Sequence, residues 1–180
     1  MKSLKESFIK AKDLDNLNKQ KYVLTEKTIV ISNHKLYRIQ ALRNIPSKKV
    51  KKGDLGGWIE SYDNLDQKGD CRVEDDAKVY GSAKIYDNAW VHGNAKVFKD
   101  AKVYGNAEVS GNAEVYDNAI ISSNAQVHDN AKVYDDAWVY GNAKVYDNAC
   151  VYSDAQIFNN AKICGKARVD YDVNKGTIEK

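Results

Sequence analysis

Histidine is the side chain best suited to move protons near neutral pH, and the chain contains three of them. His92 and His128 are 36 residues apart, and His34 lies farther upstream. A catalytic or metal site needs such groups within a few ångströms of one another. Their spacing does not bring two of them together within one chain. We therefore predict no catalytic residue and no metal site.

The other reactive groups support the same prediction. Cys71, Cys150 and Cys164 are an odd number of cysteines without metal-ligand spacing, which indicates free thiols in a reducing cytoplasm. Neither common type of glycine-rich phosphate loop is present. We therefore predict no cofactor.

The elements that position these groups are defined by an internal repeat. Alanine recurs every six residues from Ala77 to Ala167, sixteen times without a break, and a valine or isoleucine follows each alanine two positions later. Residues two apart in a strand point to the same side, so each unit predicts a short strand with both side chains inside. The following residues, most often Tyr, then Gly or Asp, then Asn, are typical of a tight corner. A period of six excludes an α-helix.

Three units close a triangular coil of eighteen residues, and successive coils stack about 4.8 Å apart. About seventeen units therefore predict an all-β fold, a parallel β-helix of five to six coils. The alanine and aliphatic side chains fill the interior, so no internal ligand fits. Any activity must lie on the outer faces, the corners or the ends.

At this point the sequence resembles the hexapeptide-repeat family, whose signature is an aliphatic residue followed four positions later by a small one, as in Val79 and Ala83. The resemblance covers roughly 100 of the 180 residues and implies a left-handed, single-stranded β-helix, a handedness that the period alone does not fix. The segments LYRIQAL and KKGDLGGWIE, followed by NAKVYG-type repeats, also resemble a group of small phage and prophage proteins of low-GC bacteria.

Enzymes of the hexapeptide family provide one alternative. Its acyltransferases usually carry a catalytic histidine near a protruding loop, whereas no loop interrupts the coils of this chain. Its carbonic anhydrases need three ligand histidines, two of them on neighbouring turns, and this sequence departs from that pattern. An acyl-CoA-dependent acyltransferase with His92 or His128 as general base, in a groove between subunits, remains the enzymatic alternative.

Residues eighteen apart lie above one another, so the sequence also predicts the surface as columns. Two corner columns are aromatic, which predicts stacked rings and leaves a nucleotide- or glycan-binding surface as a further alternative. A column of asparagines predicts a ladder of amide hydrogen bonds, and an acidic column predicts a solvated edge or a cation site. The asparagines run from Asn88 to Asn160, and the acidic column contains Asp100, Asp136 and Asp154.

One face breaks its polar pattern. Ile120 and Trp138 follow each other in its outward column, with Tyr104 and Tyr140 at the edge, and Trp90 stands outward on another face. Exposed residues of this kind are typical of a protein contact. We predict these five as partner-binding residues. Lysines elsewhere in the column confine the contact to the middle coils, which favours a dimer or another protein over an extensive trimer interface.

The region before the repeats predicts a cap. Residues 22–31 and 36–42 alternate apolar and polar side chains around Ser-Asn-His-Lys, which predicts a β-hairpin, and residues 2–19 have the pattern of a short amphipathic helix. Solenoids need such terminal caps. The predicted organisation is an N-terminal helix or flexible segment at 1–20, a capping region with the hairpin and a glycine-rich lead-in at 21–70, the β-helix at 71–172 and a C-terminal tail at 173–180.

Charge and hydropathy limit the partners. Residues 1–70 carry 15 Lys and Arg against 9 Asp and Glu, whereas residues 71–170 carry 11 against 14. A net charge of only −3 in the repeats argues against a DNA mimic, which needs a dense carboxylate surface, and we expect no direct nucleic-acid binding. No apolar run is long enough to span a bilayer, and the first residues lack the apolar core of a signal peptide. We expect a cytoplasmic protein of a bacterial host, without membrane contact.

These observations predict a non-catalytic protein-interaction module. The resemblance to phage proteins implies a modulator or inhibitor of a host defence system that binds a host protein or complex. A second copy of the chain, in a dimer or trimer, is the other expected partner.

Overall fold

A computed structural model describes residues 20–45 and 49–180, and it is built almost entirely from short strands. The sequence predicts an N-terminal helix or flexible segment at residues 1–20, and of these only residue 20 lies within the described part of the chain. The remaining chain winds into a parallel β-helix with three sheets, one for each face. The predicted all-β class, parallel β-helix and N-terminal hairpin are confirmed.

The strands are numbered in chain order, and a 3-10 turn spans Tyr62–Asn64 between β3 and β4. Their bounds are β1 (Tyr22–Ile31), β2 (His34–Ala41), β3 (Leu55–Ile59), β4 (Arg72–Val73), β5 (Lys78–Val79), β6 (Lys84–Ile85), β7 (Trp90–Val91), β8 (Lys96–Val97), β9 (Lys102–Val103), β10 (Glu108–Val109), β11 (Glu114–Val115), β12 (Ile120–Ile121), β13 (Gln126–Val127), β14 (Lys132–Val133), β15 (Trp138–Val139), β16 (Lys144–Val145), β17 (Cys150–Val151), β18 (Gln156–Ile157), β19 (Lys162–Cys164), β20 (Arg168–Val169) and β21 (Thr177–Glu179).

Each face is a sheet of strands from successive coils. The first face has the order β1-β2-β3-β5-β8-β11-β14-β17-β20, the second β6-β9-β12-β15-β18, and the third β4-β7-β10-β13-β16-β19-β21. We call the corner that follows each face in the chain the first, second and third corner. The first corner begins at the column of Tyr80, the second at the column of Tyr86 and the third at the column of His92.

The repeat forms this coil because two of its six positions point inward. The alanines and aliphatic residues of the repeats are essentially inaccessible to solvent and form one continuous core. The residue between them faces outward, and its N–H donates to an alanine carbonyl of the next coil, as Lys78 does to Ala95 at 2.9 Å. Burying one such valine or isoleucine contributes roughly 1.5–3 kcal/mol. The stacked coils are therefore stabilised by the same two interactions at every turn.

The corners depend on left-handed backbone. The residue after each aromatic position has a positive φ, whether it is glycine, as at Gly141 (φ 71°), or aspartate, as at Asp147 (φ 59°). Several of these aspartates also accept a hydrogen bond from the backbone N–H of the equivalent residue one coil ahead. The pairs are Asp75 with Gly93, Asp87 with Gly105, Asp129 with Asp147, Asp135 with Ser153, and Asp147 with Gly165.

Asparagine side chains add a second set of contacts between coils. At the second corner the side-chain amide of each asparagine donates to the next one at 3.2–3.4 Å, from Asn88 to Asn160. The predicted ladder is therefore confirmed. The third corner carries another ladder, from Asn94 to Asn148, with distances of 3.0–3.3 Å.

The N-terminal hairpin extends the first face. β1 and β2 are antiparallel and are joined by Ser32 and Asn33, both with positive φ, as a two-residue type I′ turn requires. β2 then pairs with β3, which is itself parallel to β5. At Gly57 an added Cβ would lie 2.6 Å from the Val73 side chain, so glycine is needed where the cap approaches the first coil.

The β-helix is longer than five to six coils, because both flanking regions contribute strands. β3 pairs in parallel with β5, and Leu65 bridges Ile85, so the solenoid begins inside the predicted capping region. At the other end β21 pairs with β19, and Val173 bridges Ile157. Two of the three faces consequently hold seven parallel strands each. These flanking turns lack the Ala-x-Val signature, so counting repeats could not include them.

Candidate interaction surface

Ile120 and Trp138 lie side by side on the second face. They are cross-strand partners in β12 and β15, and the neighbours of this pair along the column are Lys102 and Gln156. Both face outward and are half-buried. The pair forms a small apolar area in the middle coils with a longer polar side chain at each end.

The indole of Trp138 is held in place by its own chain. Its Nε1–H donates to the Ser122 hydroxyl at 3.1 Å, and its ring contacts Tyr140 with centroids 4.5 Å apart. Tyr140 in turn donates its hydroxyl proton to the Gln156 side chain at 3.2 Å. Ser122 is only 3% exposed, and the indole reaches it across the corner from the following coil. The sequence prediction overlooked Ser122, although its place in an otherwise aromatic column was the available signal.

The aromatic corners are stacked as predicted. Rings from Tyr80 to Tyr152 at the first corner are nearly parallel, with centroids 4.9–5.4 Å apart. At the second corner Tyr104 stacks on Tyr86 at 4.8 Å, and Tyr140 stacks on Phe158 at 5.1 Å. Each ring therefore contacts the ring of a neighbouring coil. The flat faces of the rings contact one another and hold the coils together, so only the ring edges are open to a ligand.

In comparisons with known proteins, no family model and no curated sequence matches the chain. The contact surface of the protein is therefore inferred from its geometry alone.

Trp90, the fifth predicted residue, lies on the third face and belongs to a different cluster. The guanidinium of Arg72 sits 3.9 Å from its ring centroid, and His92 stacks on it at 3.7 Å. Its Nε1–H donates to Glu74 at 2.8 Å, and Glu74 also pairs with Arg72 at 2.9 Å. The structure therefore brings four of the predicted residues to one region and places Trp90 in an intramolecular network.

Two of the three tryptophans follow one geometric rule. Trp90 and Trp138 each donate to the corner residue sixteen positions earlier, which belongs to the preceding coil. Trp58 is held differently, by Arg38 at 4.9 Å from its ring and by a 3.4 Å hydrogen bond to Asp76. Both Trp58 and Trp90 have an arginine against the ring, whereas the strand neighbours of Trp138 are Ile120 and Gln156. Trp138 therefore has the most apolar surroundings of the three tryptophans.

The first face is charged and largely self-paired. Glu114 accepts hydrogen bonds from Lys96 and Lys132, its neighbours in the column, at 3.0 Å each. Burial raises the pKa of Glu114, but the two ammonium groups outweigh this and hold it below its ordinary value. This face therefore contrasts with the apolar pair on the second face.

The histidines are placed against carboxylates. His92 has Glu108 at 3.0 Å from Nε2 and Asp75 at 3.9 Å from Nδ1, and it is stacked on Trp90. His128 has Asp129 at 2.9 Å from Nδ1 and stacks on Tyr146. Both are therefore engaged in contacts of the third corner. The described part of the chain contains no group of three or more His, Cys, Asp or Glu side chains that could hold a metal ion.

A cleft of about 440 Å³ separates the cap from the first coil. Apolar side chains such as Ile39 and Val73 line it, together with Lys21, Cys71 and Arg72. This cleft could not be predicted from the repeat pattern, because Lys21 and Cys71 in its walls are 50 residues apart in the chain. Within residues 20–45 and 49–180, no helix has the length and apolar character needed to cross a membrane.

Proposed function

We propose that the protein is a non-catalytic protein-interaction module, and that its contact surface is the region formed by Ile120, Trp138, Tyr104 and Tyr140. The observation that carries the proposal is the fixed position of the Trp138 indole beside Ile120. A hydrogen bond to Ser122 and a ring contact with Tyr140 restrain this side chain before any partner binds. A restrained aromatic anchor loses little entropy on binding, which is typical of interface hot spots.

The surroundings of the pair support a compact contact. Lys102 lies on one side of the column and Gln156 on the other, so the apolar centre has polar neighbours in both directions along the axis. A buried apolar centre with a polar rim is the usual arrangement of protein interfaces. A contact of this size suits one protein partner or a two-fold dimer better than an interface that runs along the whole prism.

The non-catalytic part of the proposal is supported by the filled interior and by the histidines. The core positions of the coils are occupied by packed alanine and aliphatic side chains. His92, the better placed of the two histidines for a general base, faces carboxylates through both ring nitrogens.

The partner in this proposal is a host protein or protein complex in the bacterial cytoplasm. The resemblance to phage and prophage proteins supports a more specific role, a phage-encoded modulator or inhibitor of a host defence system. A rigid solenoid suits such a role, because it presents its surface without a conformational change.

The substitution Trp138→Glu tests the proposal. The side chain faces outward, so the fold should persist, while a carboxylate in the centre of the contact should weaken binding by about 30-fold or more, the effect of losing a hot spot of about 2 kcal/mol. Wild-type protein and the variant are immobilised, exposed to bacterial lysate, and compared by quantitative mass spectrometry. Titration of the purified partner then gives the loss of affinity, and circular dichroism confirms the fold.

The matched control is Gln156→Glu, which adds the same charge one coil farther along the column. It should retain the partner that Trp138→Glu loses. Equal retention by all three proteins, or no retained protein in any of them, would contradict the proposal. Sedimentation of the three proteins alone shows whether the partner is a second copy of the chain.

A further inference from the structure

Lys21 is a buried lysine at the junction of cap and solenoid. Only 2% of its surface is exposed, and its ammonium lies against Cys71, directly before β4, the first strand of the third face. Its Nζ donates to the carbonyl oxygens of Cys71 at 2.8 Å and Lys68 at 3.3 Å. The third contact is with the Cys71 thiol, whose Sγ lies 3.1 Å from Nζ.

These three contacts are neutral groups, which is an unusual environment for a buried cation. Buried lysines are normally paired with a carboxylate, since a buried charge is expensive without one. Hydrogen bonds to two carbonyls explain part of the position of Lys21. They do not require the side chain to end against a sulfur atom.

The thiol is equally enclosed. Cys71 is fully buried, and its Sγ also lies 3.4 Å from the carbonyl oxygen of Asp66. Burial raises the pKa of the Cys71 thiol above its ordinary value, and the charge and hydrogen bond of Lys21 reduce this rise without reversing it. Lys21 and Cys71 both line the cleft between the cap and the first coil, so a local opening of this cleft would admit a small oxidant to the sulfur.

We propose that Lys21 and Cys71 form an oxidation site, in which a peroxide converts their contact into a covalent sulfur–nitrogen bond. In the first step the Cys71 sulfur attacks the peroxide, the O–O bond breaks, and the products are a sulfenic acid and water or an alcohol. In the second step the Lys21 amine, after releasing a proton to solvent, attacks this sulfur. The S–N bond forms, the S–O bond breaks, and the hydroxyl group leaves as water with a proton from the nitrogen. Sulfenic acids condense with adjacent nitrogens in this way, and thiols reverse the product.

The bond would fasten the cap to the solenoid. Lys21 begins the hairpin and Cys71 begins the first regular repeat, 50 positions later. Everything between them, including the hairpin and the 3-10 turn, would then lie in a closed loop. Oxidised protein should consequently show slower hydrogen exchange in the cap.

The other cysteines provide internal controls. Cys164 is also buried, but its sulfur contacts the carbonyl oxygen of Ile178 at 3.8 Å. Cys150 is half-buried on the first face between Lys132 and Arg168. Neither sulfur is held against a buried amine, so oxidation there should add oxygen.

The experiment treats the folded, full-length protein with hydrogen peroxide and analyses it by mass spectrometry. At the Lys21–Cys71 pair the expected product has lost two hydrogen atoms, and tryptic digestion yields a peptide that joins the two residues. Because trypsin does not cleave after a modified lysine, cleavage after Lys21 should be lost. A thiol reductant should restore both the mass and the cleavage.

Two variants make the result decisive. Lys21→Arg keeps a cationic donor but lacks the amine, so its Cys71 should gain oxygen without cross-linking. Cys71→Ser keeps a polar group and should show normal cleavage after Lys21 under all conditions. The proposal is overturned if wild-type Cys71 gains oxygen while Lys21 stays free. It is also overturned if Cys71 stays unmodified when Cys150 is fully oxidised.

Discussion

At the scale of single residues, the corner aspartates combine two roles that the sequence pattern did not separate. Asp147 adopts a left-handed conformation with φ 59°, and its carboxylate accepts the N–H of Gly165 in the next coil at 3.0 Å. Glycine at the same position satisfies the conformation but cannot form this hydrogen bond. Where the repeats use Gly or Asp at this position, the choice is thus between conformational ease and a contact between coils.

Substitutions of Asp147 separate the two roles. Asp147→Asn keeps the oxygen and tolerates the left-handed backbone, so its stability should change by no more than about 0.5 kcal/mol. Asp147→Ala loses the hydrogen bond, worth about 1 kcal/mol, and adds about 1–2 kcal/mol of conformational strain. Asp147→Gly should fall between them. Urea unfolding measures all three, and equal stabilities of the Ala and Asn variants would contradict this account.

Residue-level predictions from sequence succeeded where a pattern repeats. The asparagine ladder and the aromatic stacks follow from columns eighteen residues apart, and both are present. The position of Trp138 was not predictable in the same way, because its indole crosses to the preceding coil to reach Ser122. Lys21 was missed entirely, since lysine is normally exposed and its partners lie in a distant segment.

At the scale of elements, the cap is joined to the coils by close backbone packing and by an ion pair. Gly57 lies in β3, where an added Cβ would be 2.6 Å from the Val73 side chain and 2.7 Å from the Ala77 carbonyl oxygen. At the hairpin, His34 pairs with Glu60 at 2.9 Å. The glycine-marked lead-in noted in the sequence is therefore the place where the hairpin and the first coil fit together.

Gly57→Ala should weaken this junction. The Ala77 carbonyl is part of the coil and cannot move independently, so the cap must shift, at a cost of about 1–3 kcal/mol as for other overpacked cores. Hydrogen exchange measured by mass spectrometry should increase in β1, β2 and β3 while the central coils remain protected. Unchanged exchange in the hairpin would show that the junction has room for a methyl group.

The ion pair gives the cap a dependence on pH. Burial raises the pKa of Glu60, but hydrogen bonds from His34 and from the Gly81 N–H outweigh it and bring the pKa below the ordinary value of 4.5. A carboxyl whose pKa is lowered on folding stabilises the protein above its unfolded-state value, and this contribution is lost as the pH falls through the folded-state value. Stability should therefore decline as the pH drops below 4.5.

Glu60→Gln tests that dependence, because an amide does not titrate. The variant should be less stable than wild type at neutral pH and should lose less stability on acidification. Glu26→Gln, on the exposed part of β1, is the control and should follow the wild-type curve. Parallel curves for Glu60→Gln and wild type would exclude Glu60 as the titrating group.

At the scale of the whole molecule, the solenoid is a one-dimensional stack in which each coil contacts its neighbours. The regular repeats were predicted correctly because a single period determines the strands, the core and the corners. The flanking turns were not, because they use Leu65 and Val173 at inward positions without the alanine pattern. Ile120 and Trp138 are neighbours on the second face, as the columns predicted, whereas their role as a contact surface and the identity of a partner stay predictions.

Because the coils are stacked, we expect the effect of a core substitution on hydrogen exchange to depend on its position along the axis. Val115→Ala, in the middle of the first face, removes two methyl groups from the core and should cost about 2 kcal/mol. Because unfolding there separates the two halves of the stack, protection should fall in the coils on both sides. Val169→Ala, in the last strand of that face, should raise exchange only in the final turns. Identical exchange profiles for the two variants would show that the solenoid unfolds as one unit.

The period of eighteen also governs how such a protein tolerates insertions and deletions. Removing eighteen residues from the coils deletes one layer and leaves every remaining side chain in its column. Removing only six also preserves the alanine and valine core, but it moves all later residues to the preceding face. Deleting residues 125–130, for example, would carry Trp138 from the second face to the first and place it above Glu114 instead of Ile120. A lineage of these proteins can therefore exchange its surface patterns by gaining or losing single hexapeptides, without evolving a new core.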